Sequence, residues 1–286
     1  MTDNSTAKIE AYIKNMPSLP TSVAKVLEIC NNPQTSPADL NLVISLDPVL
    51  VGRVLKLINS AYYSIGQHVT SLVRAIIVLG INTVKNLALS SSVVGSLSSS
   101  KTSKGLNMEG FWRHSLCVGV AAKAIAKKRG IDSKQLEEYF TAGLLHDIGK
   151  IPMNAVLSAN YMLAVGSSDR DRLSLFRMED RTLGINHSAA GAMIVKAWNL
   201  EGSVGDVIIY HHNHLDYEES HRELLYTVIL ANHFALEAEI GFSGDMYPEK
   251  PGPSIWETLN ISPEIFDEIT PIVNSEIEKA EVFLKL

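Results

Sequence analysis

Apolar residues in this chain recur every three or four positions, the spacing that places them on one face of an α-helix. The first clear stripe consists of Val23, Val26, Leu27 and Cys30, and Pro20 stands at the entry to that helix. Strict polar–apolar alternation between hairpin turns, the pattern of half-buried strands, is not found along the chain. The pattern therefore predicts an all-α fold.

Further helices follow in the first part of the chain. Ser36 is a suitable N-cap for one of them, and Asp47 followed by Pro48 is suited to begin the next. The apolar stretch over residues 71–95 predicts two more helices, with a break near Gly80. These helices predict an N-terminal helical subdomain.

The sharpest change in composition is the stretch "SLSSSKTSKGLNMEG", which is rich in serine and ends in glycine. It predicts a linker over residues 101–110, between a subdomain formed by residues 1–100 and a second helical subdomain formed by residues 111–240. Residues 241–286 begin with a stretch that holds Pro248, Pro251 and Pro253, and a short acidic amphipathic segment follows; they are expected to form a peripheral C-terminal extension.

The helical patterns of the second part place histidine where the apolar stripe points inward. His114 shares a stripe with Val118, Ala121 and Ile125, and the other inward positions are His146, His187 and His211, with His212 beside the last. Asp132 and Gln135 have the spacing of a capping box for the helix that leads to His146.

A single inward histidine is more often a hydrogen-bonded core residue than a metal ligand. Burying several histidines together costs free energy unless their ring nitrogens have a common partner, and a metal ion can be that partner. Imidazole ligands with the carboxylate of Asp147, and without a thiolate, suit iron, manganese or zinc. Neighbouring helical residues point about 100° apart, so His146 and Asp147 cannot both point at one ion from the middle of a helix. Both could reach one ion near a helix end, or one could ligate while the other bridges. For His212, an inward and a solvated position both remain open.

Composition narrows the classes of protein further. The chain has 286 residues, of which 46% are hydrophobic, enough for a buried core. Its net charge of −6 argues against general nucleic-acid binding. Cys30 and Cys117 are far apart and predict no disulfide framework. The polar N-terminus is not a signal peptide, and no run of about 18 apolar residues predicts a membrane span. A cytoplasmic location without membrane contact is expected.

The order of several segments resembles a known family. "FWRHS" followed by "AGLLHDIGK" looks like the HD superfamily of metal-dependent phosphohydrolases. "MPSLPTSVAKVLEI", "ISLDPVLVGRVLKLINSAYYS", "AIIVLG", "LGINHSAAGAMIVKAWNL" and "IIYHH" complete the order of the HDOD family, a signalling-associated relative of those enzymes. The resemblance covers roughly residues 10–215 and implies an HD-like helical bundle around a metal site.

The resemblance also implies roles for particular residues. The ligand positions of the HD superfamily fall on His114, His146, Asp147, His187, His211 and His212. Where HD hydrolases carry a ligand aspartate on a later helix, the best match here is Asn232, whose neutral amide compensates less metal charge. Lys150 falls where related cyclic-dinucleotide phosphodiesterases carry a lysine that contacts phosphate. The "GYP" segment of those enzymes is missing after "HHNH".

Two functions remain after these observations. The first is a signal-transduction regulatory or adaptor module with a protein partner, which keeps the metal site without catalysis. The alternative is a metal-dependent phosphohydrolase that acts on a nucleotide or phosphodiester, with Lys150 as a catalytic residue and a nucleotide or cyclic dinucleotide as ligand. Asn232 and the missing "GYP" favour the first. A helical protein without any metal is the third and least favoured interpretation.

Overall fold

The computed structural model describes residues 2–97, 106–218 and 220–286. Within these ranges every regular element is a helix and no strand occurs, which confirms the all-α prediction. Residues 101–105 of the predicted linker lie outside the described part of the chain. Residues 108–110 of that linker form the first turn of a helix.

The N-terminal helices follow the predicted pattern, with one addition. Ser36 accepts a hydrogen bond from the Asp39 amide and Asp39 returns one, so the predicted cap is a full capping box. Asp47 caps the next helix through the Leu50 amide at 3.0 Å. Helix α1 was not predicted, because the buried Ile9 lies in a mainly polar stretch. The helices are α1 (Thr2–Asn15), α2 (Thr21–Cys30), α3 (Pro37–Ser45), α4 (Pro48–Ile58), α5 (Leu72–Leu79) and α6 (Ile81–Leu97).

The second part supplies the helices of the candidate site. They are α7 (Met108–Lys128), α8 (Leu136–Leu145), α9 (Lys150–Asp171), α10 (Leu175–Leu183), α11 (His187–Trp198), α12 (Ser203–Tyr210) and α13 (Arg222–Glu237), with a short 3-10 helix at His214–Asp216. The predicted capping box of α8 is wrong. The Gln135 side chain makes no capping bond, and the Asp132 carboxylate accepts from the Lys134 amide at 2.8 Å, one turn too early.

Two facing glycines let α7 and α8 cross closely. A Cβ at Gly119 would lie 2.8 Å from the Phe140 carbonyl oxygen, and one at Gly143 would lie 2.8 Å from the Gly119 Cα. Because any side chain at either position would force the helices apart, the crossing requires glycine. The close approach brings His114 of α7 and His146 at the end of α8 together, with ring centroids 5.8 Å apart.

The two parts share one continuous hydrophobic core. Helix α6 packs against α8, and α1 packs against α9 and α11. The "INSAYYS" segment joins the parts through Tyr63, whose hydroxyl donates to the buried Glu137 of α8. Lys123 of α7 donates to the same carboxylate at 2.8 Å, and its ammonium nitrogen lies 4.6 Å from the centre of the Tyr62 ring.

The C-terminal extension is more than a peripheral cover. It forms α14 (Pro253–Leu259), α15 (Ile265–Ala280) and a 3-10 helix at Glu281–Lys285. Helix α15 packs against α7, and Ile269, Val273 and Phe283 are fully buried. No single helix within the described ranges is long and apolar enough to cross a membrane, although α5 and α6 meet that test together as a pair bent by 117°.

Candidate metal centre

The HD pair lies at a helix end. Helix α8 ends at Leu145, and His146 and Asp147 occupy the turn that follows. Both side chains reach the same side, with the His146 Nε2 3.4 Å from an Asp147 carboxylate oxygen. Gly149 completes the turn against the start of α11, where a Cβ would lie only 1.9 Å from the His187 carbonyl oxygen. The glycine of "HDIGK" therefore permits the approach of His187.

Hydrogen bonds at Nδ1 determine the tautomers of three histidines. The Nδ1 atoms of His146 and His211 lie 2.7 and 2.9 Å from the carbonyl oxygens of Gly143 and Val207. The Nδ1 of His187 lies 2.6 Å from a Glu179 carboxylate oxygen. These oxygens only accept, so we assign the proton to Nδ1 in each neutral ring. Each Nε2 then presents a lone pair.

The three Nε2 atoms converge on Asp147. The Nε2 atoms of His187 and His211 lie 3.3 and 3.6 Å from its Oδ1, and 3.3 Å from each other. Since none of these nitrogens carries a proton in the assigned tautomer, lone pairs face lone pairs. Two of these buried atoms, the His146 Nε2 and the Asp147 Oδ1, have no hydrogen-bond partner among the described residues.

This donor set fits a metal ion. Histidine ligands usually donate their other ring N–H to a carbonyl or carboxylate, as His146, His187 and His211 do here. Two groups of side chains place their ligand atoms within 4.8 Å of one another and could each hold an ion. They are His114, His146 and Asp147, and His187, His211 and His212. Imidazole and carboxylate together suit a divalent transition metal.

The remaining predicted residues lie at the edge of this cluster. The His114 Nε2 is 3.0 Å from the Asn232 amide oxygen on α13. His212 follows the end of α12, is half-buried and stacks on Phe176 with ring centroids 4.4 Å apart. Its ring centre is 4.4 Å from that of His211, which favours the inward position over the solvated one. The structure thus brings together all seven residues predicted as ligands.

Burial disfavours the protonated form of three of the imidazoles. It lowers the pKa of His114 to about 4 and that of His146 to about 3. The pKa of His211 is lowered for the same reason. Burial alone would raise the pKa of the Asp147 carboxyl, but His146 and Lys150 outweigh it and hold the pKa well below its usual value. At neutral pH the His146 ring is uncharged, so Lys150 is the effective counter-charge.

The ammonium group of Lys150 makes its hydrogen bonds to other groups of the protein. Its ammonium group donates to Asp147 at 2.6 Å and to the Ser243 carbonyl oxygen at 3.2 Å. The residue is only 3% exposed. Ser243 belongs to residues 241–251, a segment that runs over the cluster and that we call the covering segment. It is also held at α7, where the Phe242 amide donates to the Gly110 carbonyl oxygen at 2.9 Å.

Glu179 of α10 is a residue of the site that was not predicted from the sequence. This fully buried carboxylate accepts from the backbone amide of His187 at 2.8 Å, from its ring at 2.6 Å, and from the Tyr161 hydroxyl at 2.9 Å. It therefore orients the His187 ring. A glutamate eight residues before a histidine carries no recognisable spacing signal, because the two meet only where α10 turns into α11.

A helical bundle with a buried His/Asp cluster of this kind defines a protein of the HD type. Residues 16–214 match the model of the HDOD domain family, and the chain belongs to that family. The HDOD-type order of segments recognised in the sequence is thereby confirmed.

Solved structures share the fold. An HDOD domain protein of unknown function from Geobacter sulfurreducens is 23% identical, with a TM-score of 0.76 and complete coverage of both chains. A Shewanella amazonensis protein provisionally named a phosphohydrolase is also 23% identical, with a TM-score of 0.70 over 97% of this chain and 98% of its own.

A relative is also found by sequence. An uncharacterized protein of Treponema pallidum (strain Nichols) is 25% identical over 226 residues, which cover 79% of this chain and 43% of that relative. The chain thus spans less than half of that relative's length.

Proposed function

We propose that this HDOD protein is a metal-holding regulatory module that acts on a protein partner in signal transduction and does not hydrolyse phosphoesters. The observation that carries the proposal is the position of Lys150. A lysine that stabilises phosphate in a reaction must present its ammonium group to that phosphate. Here the ammonium group is buried between Asp147 and the Ser243 carbonyl, so its charge stabilises the centre and the covering segment.

The residues around the cluster have a stabilising role in this proposal. The ligand side chains come from α7, α11 and the turns after α8 and α12, so one divalent cation would connect elements that are distant in sequence. A cation that binds the folded state and not the unfolded chain raises stability by mass action. The Nδ1 bonds to Gly143, Val207 and Glu179 hold the rings ready for it.

An exposed apolar surface on the N-terminal helices supports a protein partner. Helix α3 packs against both α4 and α5, and the outer faces of these helices and the turn between α3 and α4 leave large apolar side chains in solvent. Exposed apolar patches of this kind often mark sites of protein association. The residues are Leu42, Leu46, Val49, Val73, Ile77 and Val78.

Metal analysis of the purified protein tests the first half of the proposal. We expect about one equivalent or more of iron, manganese or zinc per chain in the wild type. The double variant His146→Ala, Asp147→Ala should lose it. His68→Ala, a change at an exposed histidine outside the cluster, should keep the wild-type content. A wild-type protein that contains no metal would contradict the proposal.

A hydrolysis assay tests the second half. Generic aryl phosphates and cyclic dinucleotides are incubated with the metal-loaded protein and added manganese or iron. We expect no turnover above the background without enzyme. Robust metal-dependent turnover in the wild type that is lost in Lys150→Ala would overturn the regulatory assignment.

One observation favours the phosphohydrolase as a second candidate. His212 is half-buried, and it lines a surface cavity together with His211 and Asn232, so a nucleotide or phosphodiester in that cavity would reach the cluster. In this case Asn232→Asp is expected to raise turnover, because a carboxylate compensates more metal charge than an amide. Turnover that is equal in the two proteins would count against this role for position 232.

A further inference from the structure

The buried charges around the cluster do not balance. Apart from Glu137, which pairs with Lys123 near the N-terminal part, the buried acidic and lysine side chains among the described residues are Asp147, Lys150, Glu179 and Asp245. Three carboxylates therefore face one ammonium group, which leaves two negative charges without a buried counter-charge. Uncompensated buried charge is costly, and one divalent cation would balance these two.

Asp245 comes from the covering segment and lies beside the cluster. It is 7% exposed. It lines one cavity together with His114, and a second together with His211 and Asn232. Its carboxylate accepts a hydrogen bond from the Tyr247 amide at 3.1 Å, which directs the side chain. Two residues earlier, the Ser243 carbonyl is bound by Lys150.

We infer that Asp245 supplies the second carboxylate charge beside the metal ion, so that the covering segment completes the centre. The inference rests on the proposed metal-holding function. Asp147 is already paired with Lys150 at 2.6 Å, and Asn232 faces His114 with a neutral amide. Glu179 acts through the His187 ring. Without Asp245, the centre would therefore carry a single uncompensated negative charge against a divalent cation.

Two isosteric variants test the assignment. Asp245→Asn removes the charge and keeps an oxygen that can accept from the Tyr247 amide. Glu249→Gln is the matched control: it removes a charge from the same segment and the same cavity wall, but Glu249 is exposed and pairs with Arg177. Affinity for zinc and manganese is measured by competition with a chelator of known strength. We expect affinity to fall by about tenfold to a hundredfold in Asp245→Asn and to stay near the wild-type value in Glu249→Gln.

A thermal measurement separates a role toward the metal from a general structural role. In excess chelator, Asp245→Asn should unfold at the same or a higher temperature than the wild type, because it removes a costly buried charge. With saturating metal it should unfold at a lower temperature. Adding Asn232→Asp to Asp245→Asn should restore part of the metal affinity, since it returns a carboxylate to the same region.

Several outcomes would overturn the inference. Unchanged metal affinity in Asp245→Asn would overturn it while leaving the proposed function intact. An equal loss in Glu249→Gln would do the same, because net charge on the segment would then explain the effect. A wild type that binds no metal at all would refute the proposed function and this inference with it.

Discussion

Glu179 offers the sharpest test of how this centre is organised. One of its oxygens accepts both the backbone amide and the ring Nδ1–H of His187, at 2.8 and 2.6 Å. Its other oxygen accepts from the Tyr161 hydroxyl at 2.9 Å. Glu179→Gln keeps the shape of this side chain and removes its charge.

The size of the effect follows from these contacts. The glutamine oxygen can keep the His187 bonds if its amide group turns toward Tyr161, whose hydroxyl can then accept. What is lost is the charge assistance of the bonds to His187, and charge-assisted bonds are about twice as strong as neutral ones. Loss of such a partner typically weakens metal binding by about tenfold to a hundredfold, or about 1.4 to 2.8 kcal/mol.

The assay is chelator competition at neutral pH, with far-UV circular dichroism to show that the helices persist. Tyr161→Phe is the control, because it removes one donor to Glu179 and leaves the carboxylate charge in place. We expect its affinity to stay within about threefold of the wild type, well below the loss for Glu179→Gln. Wild-type affinity in Glu179→Gln, or an equal loss in Tyr161→Phe, would refute the orienting role.

Three further predictions concern stability. Lys123→Met leaves the buried Glu137 without its cation, so urea unfolding should show a loss of about 3–5 kcal/mol, much of it recovered when Glu137→Gln is added; a loss that stays unchanged in the double variant would contradict this. Gly149→Ala should lower both the unfolding temperature and the metal content, because its Cβ would lie 1.9 Å from the His187 carbonyl oxygen. Wild-type values of both would contradict this prediction, because they would show that α11 can shift at little cost. In chelator, stability should fall as the pH drops from about 6.5 to 4, because burial lowers the pKa of His114 to about 4 and of His146 to about 3. The unfolded chain then binds more protons, at a cost of up to about 3 kcal/mol for each ring, and a flat urea midpoint across this range would contradict the prediction.

Much of the fold could be predicted from local patterns. The stripes of α2 and α4 and the cap at Ser36 are recorded in the sequence because apolar spacing and capping act over a few residues. Helices α1 and α9 could not be found this way. Ile9 of α1 is buried against distant helices in a mainly polar stretch, and the apolar residues of α9 do not keep to one face.

The same limit separates the parts of the candidate site. The histidines and Asp147 could be named because each follows an apolar stripe or a recognisable motif. Glu179, which binds His187, and Asp245, which lies beside the cluster, could not be named, since ordinary carboxylates in polar stretches carry no spacing signal. The inner position of His212 also depended on Phe176, which comes from another helix.

By itself, the sequence determined that the chain is helical, which residues could bind a metal, and that a lysine follows the HD pair. Only the tertiary structure decided what these residues do. It turned the lone pairs of three rings toward one carboxylate, and it buried Lys150 against the covering segment rather than facing it outward. The physical reason is that helix formation depends on near neighbours, whereas charge balance in a buried centre depends on segments that only folding brings together.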